Sequence, residues 1–245
     1  MEANKKIVFI KDWILNYVNS MPKKAKSLVI GISGGIDSSV SSTLCAMTGM
    51  KTIVLTMPIK QNVDQHDLSL KHRKWLVDKF NNVEAHTISL DELFNSFKSS
   101  LSKFDNDHGM ANSRARLRMT TLYQVAAANK GIVVGTGNKV EDFGVGFYTK
   151  YGDGGVDISP IADCNKTEVW ELGKELNILK EIIDAPPTDG LWDDGRTDEG
   201  QLGFKYQELE DAMKNPNSPH RQEYEKIRKQ NLHKMEPIPV CKIPN

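Results

Sequence analysis

Cysteine is scarce in this 245-residue chain: Cys45, Cys164 and Cys241 stand far apart, without CxxC or CxxH spacing. That pattern argues against a disulfide framework and a zinc site and fits a reducing cytoplasm. Net charge is lacking too, since 32 Lys and Arg balance 32 Asp and Glu, whereas a dedicated nucleic-acid binder carries a basic excess. Long apolar runs are missing. Charge interrupts the N-terminal MEANKKIVFIKDWILNYV too often for a secretory signal, and no stretch approaches the ~18 apolar residues of a membrane helix. These shortages point to a cytoplasmic protein with neither a nucleic-acid nor a membrane partner, and any anion it binds must be held by a local site. Internal repeats and low-complexity linkers are also absent, so residues 1–245 read as one domain. At this length a folded chain buries roughly 70–75% of its unfolded surface and needs no metal or disulfide staple.

What is present is an alternation of elements. Ile7, Ile10, Ile14, Leu15 and Val18 recur at helical spacing among charged residues and predict an opening helix ended by Pro22. Residues 28–32 form a short β-branched run entering Ser33-Gly34-Gly35, the pattern of a buried parallel strand. A second strand is expected at 52–57, and the small-residue stretch 37–47 between them, followed by Gly49, predicts a helix. Further helices are expected at 65–80, 91–103, 112–129, 166–176, 205–214 and 220–233, and strands at 85–88 and 132–135. Strand–helix alternation of this kind implies an α/β fold, an open parallel sheet with helices on both faces. Beyond residue 135 strands become scarce, and glycine-dense segments at 144–155 and 190–203 are candidate lids, with Phe147 and Trp192 excluding solvent.

The sharpest motif is Gly31-Ile32-Ser33-Gly34-Gly35-Ile36-Asp37-Ser38-Ser39, at the carboxyl end of the first strand and the start of the first crossover helix. Ligands dock there in open α/β sheets. Glycines let backbone approach an anion closely, and a helix N-terminus directs N–H groups and a positive dipole end at it. Phosphate is the expected guest. Asp37 would repel it unless a divalent cation such as Mg²⁺ bridges the two. The plain alternative is a tight turn and an ordinary helix cap; the whole string after a buried strand favours the phosphate site. It is neither GxxxxGK[ST] nor GxGxxG, which disfavours P-loop NTPases and dinucleotide oxidoreductases.

Ser33-Gly34-Gly35-Ile36-Asp37-Ser38 resembles the pyrophosphatase loop of the N-type ATP pyrophosphatases. Within them, Gly135-Thr136-Gly137-Asn138-Lys139-Val140-Glu141 and Gly146-Phe147-Tyr148-Thr149-Lys150-Tyr151-Gly152-Asp153-Gly154-Gly155-Val156-Asp157 resemble the NAD synthetases. So do Asn112 and Ala115-Arg116-Leu117-Arg118-Met119 upstream. Pro160-Ile161, Lys166-Thr167, Pro187-Thr188, Thr197-Asp198-Glu199, Leu202-Gly203 and His233-Lys234 extend the likeness downstream, over nearly the whole chain. The resemblance implies a Rossmann-like fold of the adenine nucleotide alpha hydrolase type. It implies ATP-dependent amidation of deamido-NAD with ammonia, through an adenylate, to NAD, AMP and pyrophosphate, the last step of NAD biosynthesis.

Carried over position by position, the family's ATP site would comprise Gly31, Ile32, Ser33, Gly34, Gly35, Ile36, Asp37, Ser38, Thr136, Lys166 and Thr188. Asp37 and Glu141 would hold Mg²⁺, and Arg116, Lys150, Asp157, His233 and Lys234 would bind deamido-NAD. Asp153 is the candidate to bind ammonium and accept its proton, with a turn-forming aspartate as the equal alternative. On a helix Arg114 and Arg118 share a face opposite Arg116, which makes Arg116 the first choice and Arg118 the reserve. The duller readings are surface lysines at 150 and 166, surface acids at 141 and 142, and a charged helix tail at 233–234. Family homodimers imply a dimer here. Two features depart from many stand-alone members: Gly137-Asn138, and one extra residue between Glu141 and Gly146-Phe147. The GTGNK form is closer to the glutamine-dependent branch, yet only a short helix precedes the loop, so no glutaminase domain is expected. A tRNA thiolase-like ATP pyrophosphatase and a non-catalytic ATP-binding sensor remain the alternatives.

Overall fold

The computed structural model describes residues 1–60, 63–188, 190–192 and 196–244, with the backbone alone for 63–65. The chain opens on α1 (Ala3–Ser20), whose Ile7, Ile10, Ile14 and Val18 form the expected buried stripe. There follow β1 (Ser27–Gly31), α2 (Ile36–Met47), β2 (Lys51–Thr56), α3 (Val63–Lys79), β3 (Val83–Thr87), α4 (Asp91–Ser100), a 3-10 turn (Ser102–Phe104), α5 (Asp107–Ala128) and β4 (Gly131–Val133). A π-helical turn (Val140–Val145), α6 (Lys166–Glu175), α7 (Lys180–Ile183), α8 (Asp198–Leu202), α9 (Tyr206–Lys214) and α10 (Arg221–Met235) complete it. Among the described residues no helix is long and apolar enough to cross a membrane.

The four strands run parallel in the order β3-β2-β1-β4. Side chains alternate across a strand, so Leu28, Ile30, Val54 and Ile132 join one core with residues of α1, α2 and α6. Val29, Ile53, Leu55 and Val133 face the other way, into a core with Phe94 of α4 and Met110 and Ala126 of α5. Burial on both faces is why these strands read as continuous apolar runs rather than alternating ones. A third cluster, with Val140, Val145, Tyr206, Leu209, Ala212 and Tyr224, ties the π turn to α9 and α10.

Two expected helices have other bounds, and the residue inserted before Gly146 finds its place. The helix expected from 112 starts at Asp107, because the Asn106 side chain caps it by accepting from the Gly109 N–H at 2.8 Å. The segment 91–103 breaks at Leu101 into α4 and the 3-10 turn. The extra residue between Glu141 and Gly146 is housed in the π turn, which holds one more residue per closed ring than an α turn. The chain leaves β1 and β4, neighbours in the sheet, toward different helices, and a crevice opens at their carboxyl ends.

Candidate active site

The loop after β1 is built for close approach. Ile32 N–H donates to the Leu55 carbonyl at 2.8 Å, extending the strand by one bond, and the chain then turns at Gly34 with φ of 92°, a conformation that favours glycine. Ser33 and Ser38 close the loop on itself: their hydroxyls are 3.0 Å apart, Gly35 N–H donates to Ser33 at 3.2 Å, and Ser38 donates to the Gly35 carbonyl at 3.0 Å. Gly35 caps α2 without a side chain, so the first turn of that helix presents its N–H groups beside the loop.

Across from the loop stands a buried charge cluster. Lys166 is 2% exposed, and its ammonium donates to Asp37 Oδ2 at 2.5 Å and Glu141 Oε1 at 2.9 Å. It occupies the first position of α6, the positive dipole end, where a lysine is disfavoured unless anions offset it; Asp37 and Glu141 do so. Neighbouring Thr167 is fixed by Glu210 of α9, which accepts from its N–H at 2.9 Å and its hydroxyl at 2.7 Å. Asn138, fully buried, donates to Asp37 Oδ1 at 3.1 Å and accepts from the Val140 and Glu141 N–H groups at 3.0 and 3.1 Å. The Tyr206 hydroxyl donates to Glu141 Oε1 at 2.6 Å and lies 3.2 Å from Asp198 Oδ2. Its ring lies 4.8 Å from the Lys166 ammonium.

These contacts set the protonation of the cluster. Burial opposes the charge on Lys166, but Asp37 and Glu141 outweigh it and hold the ammonium protonated above its ordinary range. Burial likewise opposes ionisation of Glu141, and Lys166 and Tyr206 together overcome it, so Glu141 stays below the usual carboxylate value. At Asp37 burial prevails over Lys166, with Glu141 adding to it, and the carboxyl is pushed up. One ammonium therefore serves two carboxylates.

Gly31 to Ser38, Thr136, Glu141, Asp153, Lys166 and Thr188 line a single cavity, so the residues matched to the ATP site, the metal ligands and the ammonium candidate come together. Asp153 also accepts from the Thr149 N–H at 3.0 Å, which gives it the turn-forming role at the same time. Glu141, Asp142 and Lys166 are wall residues rather than surface charges. Burial pushes the Asp142 carboxyl up to about 8, with Glu141, Asp153 and Asp37 adding to the shift. Arg118, the reserve, reaches the cavity, with Nε donating to the Met57 carbonyl at 3.1 Å.

The five residues matched to the deamido-NAD site lie outside that cavity. Exposed Arg116 donates to the Lys150 carbonyl at 3.3 to 3.4 Å, and Lys150 donates to the His233 carbonyl at 2.7 Å. Lys234 holds the Gly146 and Tyr148 carbonyls at 2.8 and 3.0 Å. Four of the five thus gather in one region, whereas Asp157 accepts from the Val133 N–H at 2.7 Å and the Tyr123 hydroxyl at 3.1 Å. Sequence reasoning missed Asn138, Asp198 and Tyr206 as site residues. The first two lie inside the motifs that carry the family resemblance; Tyr206 gave no signal, since a tyrosine on an amphipathic helix reads as core.

Asp37 and Glu141 fit Mg²⁺. Both are hard oxygen donors able to reach one cation, as their shared ammonium demonstrates, and Mg²⁺ ordinarily takes one or two carboxylates with phosphate oxygens and water. Among the described residues no group of three or more His, Cys, Asp or Glu could hold a metal, and two carboxylates leave positions for phosphate oxygens and water.

The family model described as NAD synthase matches residues 6–243. An NH(3)-dependent NAD(+) synthetase of Finegoldia magna is 38% identical over 224 residues, covering 91% of this chain and 89% of its own. The structure of NMN synthetase from Francisella tularensis superposes with a TM-score of 0.84 at 35% identity, covering 99% of this chain and 97% of that one. That of an NH3-dependent NAD synthetase from Campylobacter jejuni gives 0.79 at 25% identity, covering 99% and 100%. The protein belongs to the NAD synthase family.

Proposed function

We propose that the protein is an ammonia-dependent NAD synthetase, a ligase that forms the carbon–nitrogen bond of NAD from deamido-NAD at the expense of ATP. The observation that carries this reading is the convergence of the glycine loop, Asp37, Glu141 and Lys166 on one cavity in a chain of this family. The family match favours it over the tRNA thiolase and sensor readings.

A carboxylate is a poor acyl electrophile because its leaving group would be oxide. The nicotinate carboxylate therefore attacks the α-phosphorus of ATP, the bond from that phosphorus to the bridging oxygen breaks, and pyrophosphate leaves. The resulting acyl adenylate carries AMP as a competent leaving group. Loop N–H groups, the Ser33 and Ser38 hydroxyls and the Lys166 ammonium stabilise charge growing on the departing pyrophosphate, while Thr136 and Thr188 complete the ATP site. Asp37 and Glu141 would hold Mg²⁺, which would supply further neutralisation of the phosphates. Ammonia then attacks the activated carbonyl, and AMP is expelled. Ammonium has no lone pair, so Asp153 on the cavity wall binds it and takes its proton.

Arg116, Lys150, Asp157, His233 and Lys234 bind the dinucleotide in this reading. The exposure of Arg116 and His233 outside the ATP cavity supports a site completed by the second subunit of a homodimer. The decisive experiment follows pyrophosphate and NAD from purified protein with ATP, Mg²⁺ and ammonium. Equal amounts of both, appearing only with deamido-NAD, are expected; pyrophosphate without NAD moves the acceptor elsewhere, and no turnover favours the sensor.

The likeness to the Francisella NMN synthetase favours a second acyl substrate, nicotinate mononucleotide, activated by the same chemistry. The ratio of kcat/KM for the two acids decides between them.

A further inference from the structure

The Lys166 ammonium is the cation that Asp37 and Glu141 share, at 2.5 and 2.9 Å, with its side chain 2% exposed. A divalent ion that engages the same two carboxylates has to draw this ammonium away from at least one of them. The ammonium is packed against the fully buried Tyr206 ring, 4.8 Å from its centre, so it has little room to move on that side. Asp198, beside the Tyr206 hydroxyl, also favours the charge on Lys166, but taking a direct carboxylate partner from a buried ammonium is strongly unfavourable, so a new anion within reach of Lys166 eases the exchange. Lys166 lines the same cavity as the glycine loop from Gly31 to Ser38, and phosphate oxygens held by that loop meet the need. A tethered ammonium also competes at high effective concentration, which a dissolved ion has to overcome.

We propose that Lys166 is a built-in counter-cation that bars free divalent ions from Asp37 and Glu141 and yields these carboxylates when nucleotide phosphates offer its ammonium another partner. Metal and nucleotide then bind with positive coupling, and linkage makes the effect reciprocal. The inference rests on Asp37 and Glu141 as the metal ligands of the proposed function, and on neither the acyl substrate nor turnover.

The test titrates Mn²⁺ into the full chain and reads the free ion by electron paramagnetic resonance, with and without a non-hydrolysable α,β-methylene ATP analogue whose own Mn²⁺ affinity is measured separately. Wild type is expected to bind Mn²⁺ weakly alone and roughly tenfold or more tightly with the analogue. Lys166→Met is expected to bind Mn²⁺ without nucleotide roughly tenfold more tightly than wild type, with a correspondingly smaller gain on adding the analogue. Lys166→Gln keeps donors without charge and carries the same expectation if the methionine variant does not fold; Lys166→Arg is expected to behave as wild type. Variants that bind Mn²⁺ no more tightly than wild type overturn the proposal, and so does a wild-type chain that binds the ion equally well with and without the analogue. The NAD-forming assay is separate, so failure here leaves the reaction assignment standing, and failure there leaves this result intact.

Discussion

Asp142 is packed onto Gly137 so closely that a Cβ at Gly137 would lie 2.1 Å from its Oδ2, and its neighbours on the cavity wall include Glu141 and Asp153. Its carboxyl is raised from 3.8 to about 8, chiefly by burial and then by these acids. Between those values the folded chain keeps a proton that the unfolded chain has lost, so this residue makes stability fall as pH rises through the window. Asp142→Asn is expected to flatten that part of the pH dependence and to melt above wild type at pH 8 and beyond. Thermal melts in a buffer series from pH 5 to 9 check this, and an unchanged slope would count against it. Tyr206 works in the opposite sense, as a donor. Tyr206→Phe keeps the ring beneath Lys166 but removes the hydroxyl from Glu141 and Asp198, and leaving buried acceptors short costs about 1–3 kcal/mol. Urea unfolding is expected to register that loss, together with a raised Mg²⁺ requirement in the activity assay.

At the level of elements, glycine positions separate backbone strain from packing. Gly49 ends the α2 region at φ of 75° with open space for 4 Å around the point a Cβ would take, whereas Gly146, at φ of 68°, would bring a Cβ to 2.6 Å from Asn231 Cβ on α10. Gly49→Ala is expected to lose about 1–2 kcal/mol from left-handed strain alone with kcat unchanged. Gly146→Ala adds overpacking of about 1–3 kcal/mol and presses α10 away from the carbonyls that Lys234 holds. Its KM for the nicotinate substrate is expected to rise as well. The contrast between the β1–α2 loop and this region also explains what could be read from sequence. Strands β1 and β2 were legible because burial on both faces leaves an unbroken apolar run, and the loop after β1 was legible because its chemistry lies within nine consecutive residues. The π turn was not, since six residues with glycine among them carry too little periodicity to distinguish a turn from a loop. The start of α5 had a signal in Asn106, which the glycine at 109 concealed. Asn138 and Tyr206 act through contacts with Asp37 and Glu141 that only the folded chain assembles.

Across the whole molecule, the cavity at the carboxyl ends of β1 and β4 and the contact chain of Arg116, Lys150 and His233 are distinct places. If the first holds ATP and the second the part of the acyl substrate remote from its carboxylate, substitutions in the second act on one substrate alone. Arg116→Ala is expected to raise the KM for deamido-NAD roughly tenfold, the order expected when a charged hydrogen bond of about 1.5–3 kcal/mol is lost, while leaving the KM for ATP within twofold or so of wild type. The same variant separates the two acyl substrates. A dinucleotide extends further from the reacting carboxylate than a mononucleotide does, so a loss confined to deamido-NAD places Arg116 on its distal half, whereas equal losses for both place it near the shared nicotinate ribose phosphate. Equal increases in the KM for ATP and for the acid would mean that the two regions act as one site. Sedimentation of the same preparations at micromolar concentration ties the result to assembly: if a second subunit completes the acyl site, dilution that splits the dimer raises the KM for the acid first and leaves ATP affinity as it was.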